Sequence, residues 1–304
     1  MKLALGTAQF GLDYGISNKQ GQVDKTQVAD ILAQAASLGI DTIDCAGAYG
    51  NSEQIIGELL SSTPHQVKFK IVSKIPALSS AQNDISDYFE QSLTNLQTES
   101  IDTLLFHHAD NIISHPNRVQ IFQQLEALKA QQKVKRIGAS LYCPEQLTAI
   151  SEQYAIDVVQ VPLNVFDQRF IANKVLSICQ QKQIKLHARS LFLQGLLFLE
   201  ADELANYFFP FKDKINAFTS LAKHTGCSKL ALALSIVSRG LPYSLGKSAE
   251  HIIEKIVVGV CSSRQLIEIV QAYHQAKELP ITPEELLSLA DNRLEFINPS
   301  LWKI

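Results

Sequence analysis

Short apolar runs alternate along the chain with longer stretches in which apolar residues recur every three or four positions. The runs comprise Leu3–Thr7, Ile40–Asp44, Phe69–Lys74, Ile101–His107, Arg136–Ser140, Asp157–Val161, Ile184–Ser190 and Lys255–Val260. Stretches such as QVADILAQAASLG, VQIFQQLEALKAQQ, NKVLSICQQKQ and SKLALALSIVSRG separate them. Runs of this length are typical of strands, and the longer spacing is typical of amphipathic helices. The alternation predicts a parallel α/β sheet covered by helices.

The number of units favours a closed sheet over an open one. Eight strand–helix units fit into 304 residues, and no Pro/Gly/Ser-rich linker divides them. A doubly wound open sheet is the alternative, but it ordinarily carries a GxGxxG turn after its first strand, and LGTAQFG lacks that spacing. We therefore predict a (β/α)8 TIM barrel that forms a single domain over residues 1–304, with an irregular C-terminal tail from about residue 294.

Two segments near the C-terminus carry further signals. ITPEELL combines Thr282, Pro283 and Glu285 in the pattern of a helix capping box. The segment between Phe192 and Lys223 loses the strand–helix rhythm, and its aromatic-rich part, NYFFPFKDK, is compatible with either a loop over the site or an outer helix. The tail, with Phe296 and Trp302, could cover one end of the barrel.

Composition and charge indicate which kinds of binding partner to expect. The chain is 46% hydrophobic and 19% charged, its net charge is −3, and its pI is about 6.2. Binding to nucleic acid or to anionic membranes draws on clustered Lys and Arg, so neither is expected, and a small-molecule substrate is. The five cysteines are scattered without CxxC spacing, which argues against a disulfide framework and a zinc site. With no signal peptide in MKLALGTAQFG, we expect a cytoplasmic protein.

Polar residues stand where the predicted strands end. In a (β/α)8 barrel all strands end at the same mouth, where the following loops surround the site. The residues concerned are Asp44, Lys74, His107, Ser140, Gln160, Arg189 and Ser190. Each alone could be a loop cap or a solvated side chain, but their shared position predicts that they lie together.

The segment IDCAGAYGNSE explains why an apolar run ends on a carboxylate. Buried Asp44 needs a partner, and Lys74 ends the next strand. Gly47 and Gly50 flank Tyr49 and free it to reach the mouth. A Lys beside a Tyr favours the phenolate, so we expect a lowered pKa for Tyr49. Tyr49 could then donate a proton to a developing oxyanion, with His107 orienting the carbonyl group.

The sequence lacks the motifs of several other classes of enzyme. The chain contains no GxSxG, Walker or HExxH sequence. His107 and His108 have no carboxylate or Cys at ligand spacing, so no metal is predicted. Cys45 should point away from Asp44 and act as a packing residue.

At this point the sequence resembles the aldo/keto reductase superfamily, (β/α)8 enzymes that reduce carbonyl groups with a nicotinamide cofactor. The resemblance runs through nearly the whole chain, in the order LGTAQFG, IDCAGAYGNSE, VSK, IDTLLFH, IGASLYCPEQL, VVQVPLNVFDQR, HARSLFLQGLL and VVGVCSSRQL. It implies that Tyr49 is the general acid, that Lys74 and Asp44 tune it, and that His107 positions the substrate. It also implies that no N-terminal hairpin covers the barrel floor, since the chain begins almost on the first strand.

The resemblance further implies a nicotinamide site. Its expected contacts are Ser140, Gln160, Arg189 and Ser190 at the nicotinamide end, with Ser262, Arg264 and Gln265 at the adenosine phosphate. NADP(H) is expected ahead of NAD(H). Gly259–Val260 nevertheless replaces a Lys-Ser pair of members with a strong 2′-phosphate pocket, Gln265 replaces an Arg, and Arg189 replaces a stacking aromatic residue.

The HARSLFLQGLL segment resembles a bacterial branch associated with surface-polysaccharide biosynthesis, which implies a sugar-derived carbonyl as a conceivable substrate. Two other functions stay open. One is a nicotinamide-binding regulatory protein with little turnover. The other is a non-redox lyase or isomerase that uses Lys74 as a Schiff-base amine and Asp44 as its base.

Overall fold

Eight parallel strands form a closed barrel in the computed structural model, which describes residues 1–62, 68–200, 202–238 and 251–303. The strands are β1 (Leu3–Gly6), β2 (Thr42–Asp44), β3 (Lys70–Ile75), β4 (Ile101–Phe106), β5 (Val134–Ser140), β6 (Val158–Pro162), β7 (Lys185–Arg189) and β8 (Ile253–Gly259). Each pairs with the next in chain order, and β8 returns to β1 with Leu3 opposite Ile256. The predicted (β/α)8 architecture is confirmed.

Helices follow the strands and cover the outside of the barrel. Their bounds are α1 (Ala8–Gly11), α2 (Lys25–Ser37), α3 (Ser52–Ser62), α4 (Ser86–Leu96), α5 (Asp110–Ile113), α6 (Arg118–Ala130), α7 (Pro144–Gln153), α8 (Asn173–Gln181), α9 (Lys212–His224), α10 (Lys229–Ser238), α11 (Ser263–Gln275), α12 (Pro283–Ser288) and α13 (Leu294–Ile297). The last two residues of the helical stretch predicted from SKLALALSIVSRG, 239–240, lie outside the described residues.

The α2 helix shows why these stretches fold as helices. Asp24 caps its start by accepting a hydrogen bond from the Gln27 amide at 2.9 Å. Its buried residues, Val28, Ile31, Leu32 and Ala35, recur at helical spacing and pack into the core. Burial of such a face, rather than propensity alone, holds a helix of this length in place.

The amino ends of the strands carry a cluster of charged side chains, which we call the floor cluster. It consists of Asp41, Lys70, Asp102, Arg136, His187, Glu254 and Lys255. Arg136 links Asp102 to Glu254, and Glu254 accepts a hydrogen bond from His187 Nε2 at 3.0 Å. Alternating signs let these groups neutralise one another where the barrel interior meets its lower end.

The C-terminal segments pack against the loop that follows β6, where Phe296 lies on Phe166 at a centroid distance of 4.9 Å. The aromatic-rich NYFFPFKDK segment, for which the sequence allowed either a loop or an outer helix, forms a 3-10 turn (Asn206–Phe211) that leads into α9. Phe211 in this turn stacks on Phe296 at a centroid distance of 4.6 Å. The capping box predicted at Thr282 is confirmed at the start of α12. From residue 294 the tail forms α13 and a 3-10 turn (Pro299–Leu301).

Within the described ranges, every helix is too short or too polar to cross a lipid bilayer. The five cysteines are free thiols. In the same part of the chain no three His, Cys, Asp or Glu side chains are grouped in a way that could hold a metal ion.

Candidate active site

The carboxyl ends of the strands surround a cavity of about 910 Å³. Asp44, Tyr49, His107, Gln160 and Arg189 line it. The strand-end side chains in this group therefore lie with Tyr49 at one end of the barrel. A cavity of this volume is at the upper end of the range for small-molecule sites.

Lys74 and Asp44 form a buried ion pair beneath the cavity. The Lys74 side chain has 0% exposure and the Asp44 side chain 4%, and Lys74 Nζ lies 2.8 Å from Asp44 Oδ2. Lys74 also donates to the Cys45 carbonyl oxygen at 2.8 Å and to the Tyr49 hydroxyl at 3.4 Å. All three donors of the ammonium group are therefore engaged.

The ion pair keeps Lys74 charged. Burial alone would lower the pKa of Lys74, but the Asp44 carboxylate, with help from Tyr49, raises it above its ordinary value. A Schiff base requires a neutral, free amine, so this environment does not suit Lys74 as a covalent nucleophile. The environment instead favours a Lys74 ammonium group that stays charged and in contact with the Tyr49 hydroxyl.

The pKa of Tyr49 departs from the sequence-based expectation. Burial raises it above the ordinary value, and the Lys74 ammonium opposes that effect without reversing it. The expected lowering of this pKa is therefore wrong. Removing a phenolate from water costs free energy, and the attraction of Lys74, which is already paired with Asp44, offsets only part of that cost. Tyr49 is a neutral phenol at neutral pH, the form that donates a proton.

His107 is a neutral imidazole beside Tyr49. Its ring meets the Tyr49 ring edge-on at a centroid distance of 5.6 Å. Burial, followed by the charge on Lys74, lowers the pKa of His107 to about 3. A neutral imidazole at this position can donate a hydrogen bond to a substrate oxygen without competing with Tyr49 as a proton source.

The turn that presents Tyr49 depends on two glycines, only one of which stood out in the sequence. Gly50 has a φ of +55°, a left-handed conformation that glycine adopts readily. Gly11, at the end of α1, packs so closely on the turn that an added Cβ would overlap the Tyr49 carbonyl oxygen. Gly47, which the sequence also suggested, has only ordinary contacts near 4.0 Å.

The predicted cofactor-binding residues divide into two groups. Near the catalytic residues, Gln160 Nε2 donates to Asp44 Oδ1 at 2.6 Å, and Arg189 Nε donates to Ser140 Oγ at 3.3 Å. Ser190 follows with a left-handed φ of +62°. The structure thus brings these four side chains together at one side of the cavity.

The second group lies at the start of α11. Ser262 caps this helix by accepting from the Gln265 amide, and Gln265 lines the cavity. Arg264 is 88% exposed and forms an ion pair with Glu268 at 3.0 Å. Its guanidinium therefore points to solvent, beside the cavity wall rather than in it.

Several cavity residues had no recognisable signal in the sequence. They are Tyr14 in the loop after α1, Leu191 and Gln194 in the segment after β7, and Asn298, Pro299 and Ser300 in the tail. Both the segment from Phe192 and the tail therefore contribute to the walls of the site.

Comparison with known proteins identifies the family, because residues 2–286 match the aldo/keto reductase family. The chain belongs to the aldo/keto reductase family. The membership expected from the sequence motifs is thereby confirmed, and members of this family use nicotinamide cofactors.

The curated relatives of this aldo/keto reductase are distant. It is 28% identical over 206 residues to the oxidoreductase YdhF of Escherichia coli, covering 62% of this chain and 66% of the relative. It is 27% identical over 217 residues to an NADH-specific methylglyoxal reductase of the same organism, covering 64% of this chain and 65% of the relative. The chain thus spans just under two thirds of each relative's length.

Solved structures support the same fold. The aldo-keto reductase AKR11C1 from Bacillus halodurans, in its holo form, superimposes with a TM-score of 0.71 at 18% identity. The match covers 95% of this aldo/keto reductase and 92% of that protein. At this identity the likeness establishes the barrel alone.

Proposed function

We propose that this protein is an NAD(P)H-dependent carbonyl reductase that converts an aldehyde or ketone to an alcohol, with Tyr49 as the proton donor. The observation that carries the proposal is the contact of 3.4 Å between Lys74 Nζ and the Tyr49 hydroxyl, at the wall of a large cavity. A neutral phenol, a neutral imidazole and a fixed cation are the groups that reduction of a carbonyl requires.

The cavity suits a nicotinamide cofactor, because it runs from Tyr49 to Gln265 at the start of α11. In the proposed binding mode the nicotinamide end is held by Ser140, Gln160, Arg189 and Ser190, and the adenosine phosphate end by Ser262, Arg264 and Gln265. The bound cofactor would supply the hydride. NADP(H) is proposed ahead of NAD(H) because the Arg264 guanidinium stands beside a helix N-terminus, where a phosphate is favoured.

Four residues of the chain then have separate roles in the proposed reaction. Tyr49 donates the hydroxyl proton to the substrate oxygen as negative charge develops there. Lys74 stabilises the resulting phenolate, while Asp44 keeps Lys74 charged and in position. His107 donates a hydrogen bond to the same oxygen and fixes its direction.

A small carbonyl compound is the proposed substrate, and a sugar-derived carbonyl is one candidate. The cavity rim supports hydroxyl-rich ligands because amide and hydroxyl groups line it, from Asn18, Gln194 and Ser300. One of the relatives is a methylglyoxal reductase, which supports a small carbonyl compound in general. The protein is proposed to act in the cytoplasm as a single domain over residues 1–304.

The test combines cofactor binding with turnover. Titration with NADPH and with NADH should quench Trp302 fluorescence or show energy transfer at micromolar cofactor, and a panel of aldehydes, ketones and sugar aldehydes should then consume nicotinamide absorbance. Tyr49→Phe should abolish most turnover and spare cofactor binding. Cofactor binding without any turnover would instead favour a regulatory protein, and unchanged turnover in Tyr49→Phe would refute the role of this residue.

A further inference from the structure

One end of the cavity lies at the start of α11, where a single side chain of the wall carries a formal charge. The lining around this helix start comprises Gln9, Gly259, Val260, Cys261, Gln265, Glu268 and Ile269. Among these described residues the charged one is Glu268. Its side chain is 50% exposed, so its carboxylate is accessible to a ligand in the cavity.

Glu268 engages the arginine that the proposed binding mode assigns to the adenosine phosphate. Arg264 stands four residues earlier on α11, and residues at this spacing lie on the same face of a helix. Arg264 Nε donates to Glu268 Oε1 at 3.0 Å. The Arg264 side chain is outside the cavity lining, whereas Glu268 is part of it. A phosphate that binds here must therefore compete with the Glu268 carboxylate for the guanidinium.

The β8 side of this end supplies an amide group. Gly259 ends β8, and a Cβ atom built on it would lie 2.6 Å from Gln9 Oε1 and 2.7 Å from Gln9 Nε2. The Gln9 carboxamide therefore occupies the space that a side chain at position 259 would take, which excludes a cation from this position. An amide carries a donor and an acceptor and no charge, so it can bind a hydroxyl group without favouring a phosphate.

The cations within the described lining are engaged elsewhere in the cavity. They are Lys19 and Arg189. Lys19 Nζ forms an ion pair with Glu203 at 3.3 Å, and Arg189 lies at the nicotinamide end in the proposed binding mode. The balance of charge at the adenosine end is therefore set by Arg264 and Glu268.

The two candidate cofactors make different demands on this pair. NADPH carries a 2′-phosphate on the adenosine ribose, where NADH carries a hydroxyl group. A guanidinium favours the phosphate, since it can donate to two phosphate oxygens at once. A carboxylate repels the phosphate and accepts a hydrogen bond from the hydroxyl group. Because Glu268 also pairs with Arg264, it withholds the guanidinium from the phosphate.

We propose that Glu268 determines how strongly this protein discriminates between NADPH and NADH, by holding Arg264 away from the 2′-phosphate. NADPH stays ahead of NADH, but by less than about tenfold, because a paired cation and anion present little net charge to the ribose. This inference rests on the proposed reductase function and specifies the adenosine end of the same site. Glu268 is thus a specificity-determining residue that acts on the cofactor through Arg264.

The test measures Kd for each cofactor by isothermal titration calorimetry, at one fixed ionic strength because salt screens exposed ion pairs. In the wild type the ratio of the Kd for NADH to the Kd for NADPH should lie between about 1 and about 10. Glu268→Gln keeps the size of the side chain and removes its charge, so the ratio should rise by about fivefold to twentyfold through tighter binding of NADPH. Arg264→Gln should bring the ratio to about 1 or below.

The double variant with Arg264→Gln and Glu268→Gln separates an effect through Arg264 from direct repulsion of the phosphate. Since Glu268 is proposed to act by holding Arg264, removing its charge in the Arg264→Gln background should change the ratio by less than about threefold. Glu58→Gln is the matched control, because Glu58 forms a comparable ion pair with Lys25 and lies outside the cavity lining. Its ratio should equal that of the wild type.

Three results would overturn the inference and leave the reductase proposal intact. They are a wild-type ratio far above about 10, an unchanged ratio in Glu268→Gln, and an equal rise of the ratio on Glu268→Gln with and without Arg264. Binding of neither cofactor to the wild type would overturn the proposed function, and this inference with it.

Discussion

The protonation states of Tyr49 and His107 determine how the site should respond to pH. Tyr49 titrates above its ordinary value, so the proton donor is present throughout the neutral range. His107, with a pKa of about 3, does not charge in that range either. In the proposed reaction the neutral site suits reduction, whereas oxidation of an alcohol would require the phenolate and would compete with the raised pKa of Tyr49.

The first prediction concerns the pH profile of reduction. We expect kcat/KM to be flat from about pH 5 to about pH 9 and to fall only in more alkaline solution, because the ordinary values for His and Tyr are about 6.5 and about 10 and both groups move away from neutrality here. Steady-state assays in a constant-ionic-strength buffer measure it. A step near pH 6.5 that disappears in His107→Gln would contradict this account.

The second prediction concerns the buried pair of Lys74 and Asp44. Among the described residues, Lys74→Met leaves the buried Asp44 carboxylate with the Gln160 amide as its one remaining side-chain hydrogen-bond partner, so the free energy of unfolding should fall by about 3–5 kcal/mol. Urea denaturation followed by circular dichroism gives the value. Lys133→Met, which breaks a half-exposed pair with Glu90, is the control and should cost no more than about 1 kcal/mol.

At the scale of elements, the loop between β2 and α3 is shaped by a neighbour from the start of the chain. Gly11 ends α1, yet its absent side chain makes room for the Tyr49 carbonyl oxygen. Sequence spacing suggested Gly47 and Gly50 because they flank Tyr49, and it could not suggest Gly11, which is a neighbour only in the folded barrel.

The third prediction tests this contact. Gly11→Ala should displace the Tyr49 turn and lower kcat/KM by about a hundredfold, the usual cost of misplacing a catalytic group by about 1 Å. Gly47→Ala, in the same loop but with only ordinary contacts near 4.0 Å for an added Cβ, should retain wild-type kcat/KM. Similar losses in both variants would show that the loop needs glycine for flexibility and not for packing.

The strands were predictable because their signal is local. Apolar runs gave all eight to within about two residues at each end, and β5 begins at Val134, two residues before the predicted start, because the polar Lys135 interrupts the apolar pattern. Arg136 belongs to the floor cluster, whose partners come from other strands. The ion pairs of Arg136 with Asp102 and Glu254 join different strands, so they give no local signal in the sequence.

The segment after β7 could not be predicted for a different reason. Ser190, Leu193 and Gln194 adopt left-handed conformations without being glycine, and Leu193 is fully buried. Nothing in SLFLQG marks these positions, because such conformations are uncommon for bulky residues and persist only where the surrounding structure imposes them. Tyr14, which lines the cavity from a loop, likewise has no local signal in the sequence.

At the scale of the whole molecule, the floor cluster makes the stability of the barrel depend on pH in acidic solution. The hydrogen bond from His187, aided by Arg136, holds the pKa of Glu254 at about 2, although burial opposes the change. Burial lowers the pKa of His187, and Glu254 only partly restores it. His187 is therefore neutral and donates from Nε2, which leaves its buried Nδ1 without a hydrogen-bond partner among the described residues.

The fourth prediction follows from the sign of these shifts. The unfolded chain binds protons more readily than the folded barrel at both groups, so stability is present at neutral pH and decreases as the pH falls. His187 should begin to destabilise the barrel below about pH 6.5, and Glu254 below about pH 4.3, with the loss from Glu254 continuing towards pH 2.

Urea denaturation at a series of pH values measures this dependence. Glu254→Gln should be less stable than the wild type at pH 7 and should show a shallower decline of the free energy of unfolding between about pH 4 and about pH 2.5. Glu284→Gln, on the exposed first turn of α12, is the control and should keep the wild-type slope. An unchanged slope in Glu254→Gln would assign the acid sensitivity elsewhere.

Barrel closure has a consequence for how the chain reaches its folded state during synthesis. The strand that completes the ring is the last to be synthesised, and it must find a partner at the opposite terminus, where Leu3 meets Ile256. Joining such remote segments costs chain entropy and slows folding. A nascent chain on the ribosome can hold Tyr49, Lys74 and His107 and still lack the closed site, so we expect the proposed activity only after β8 has emerged.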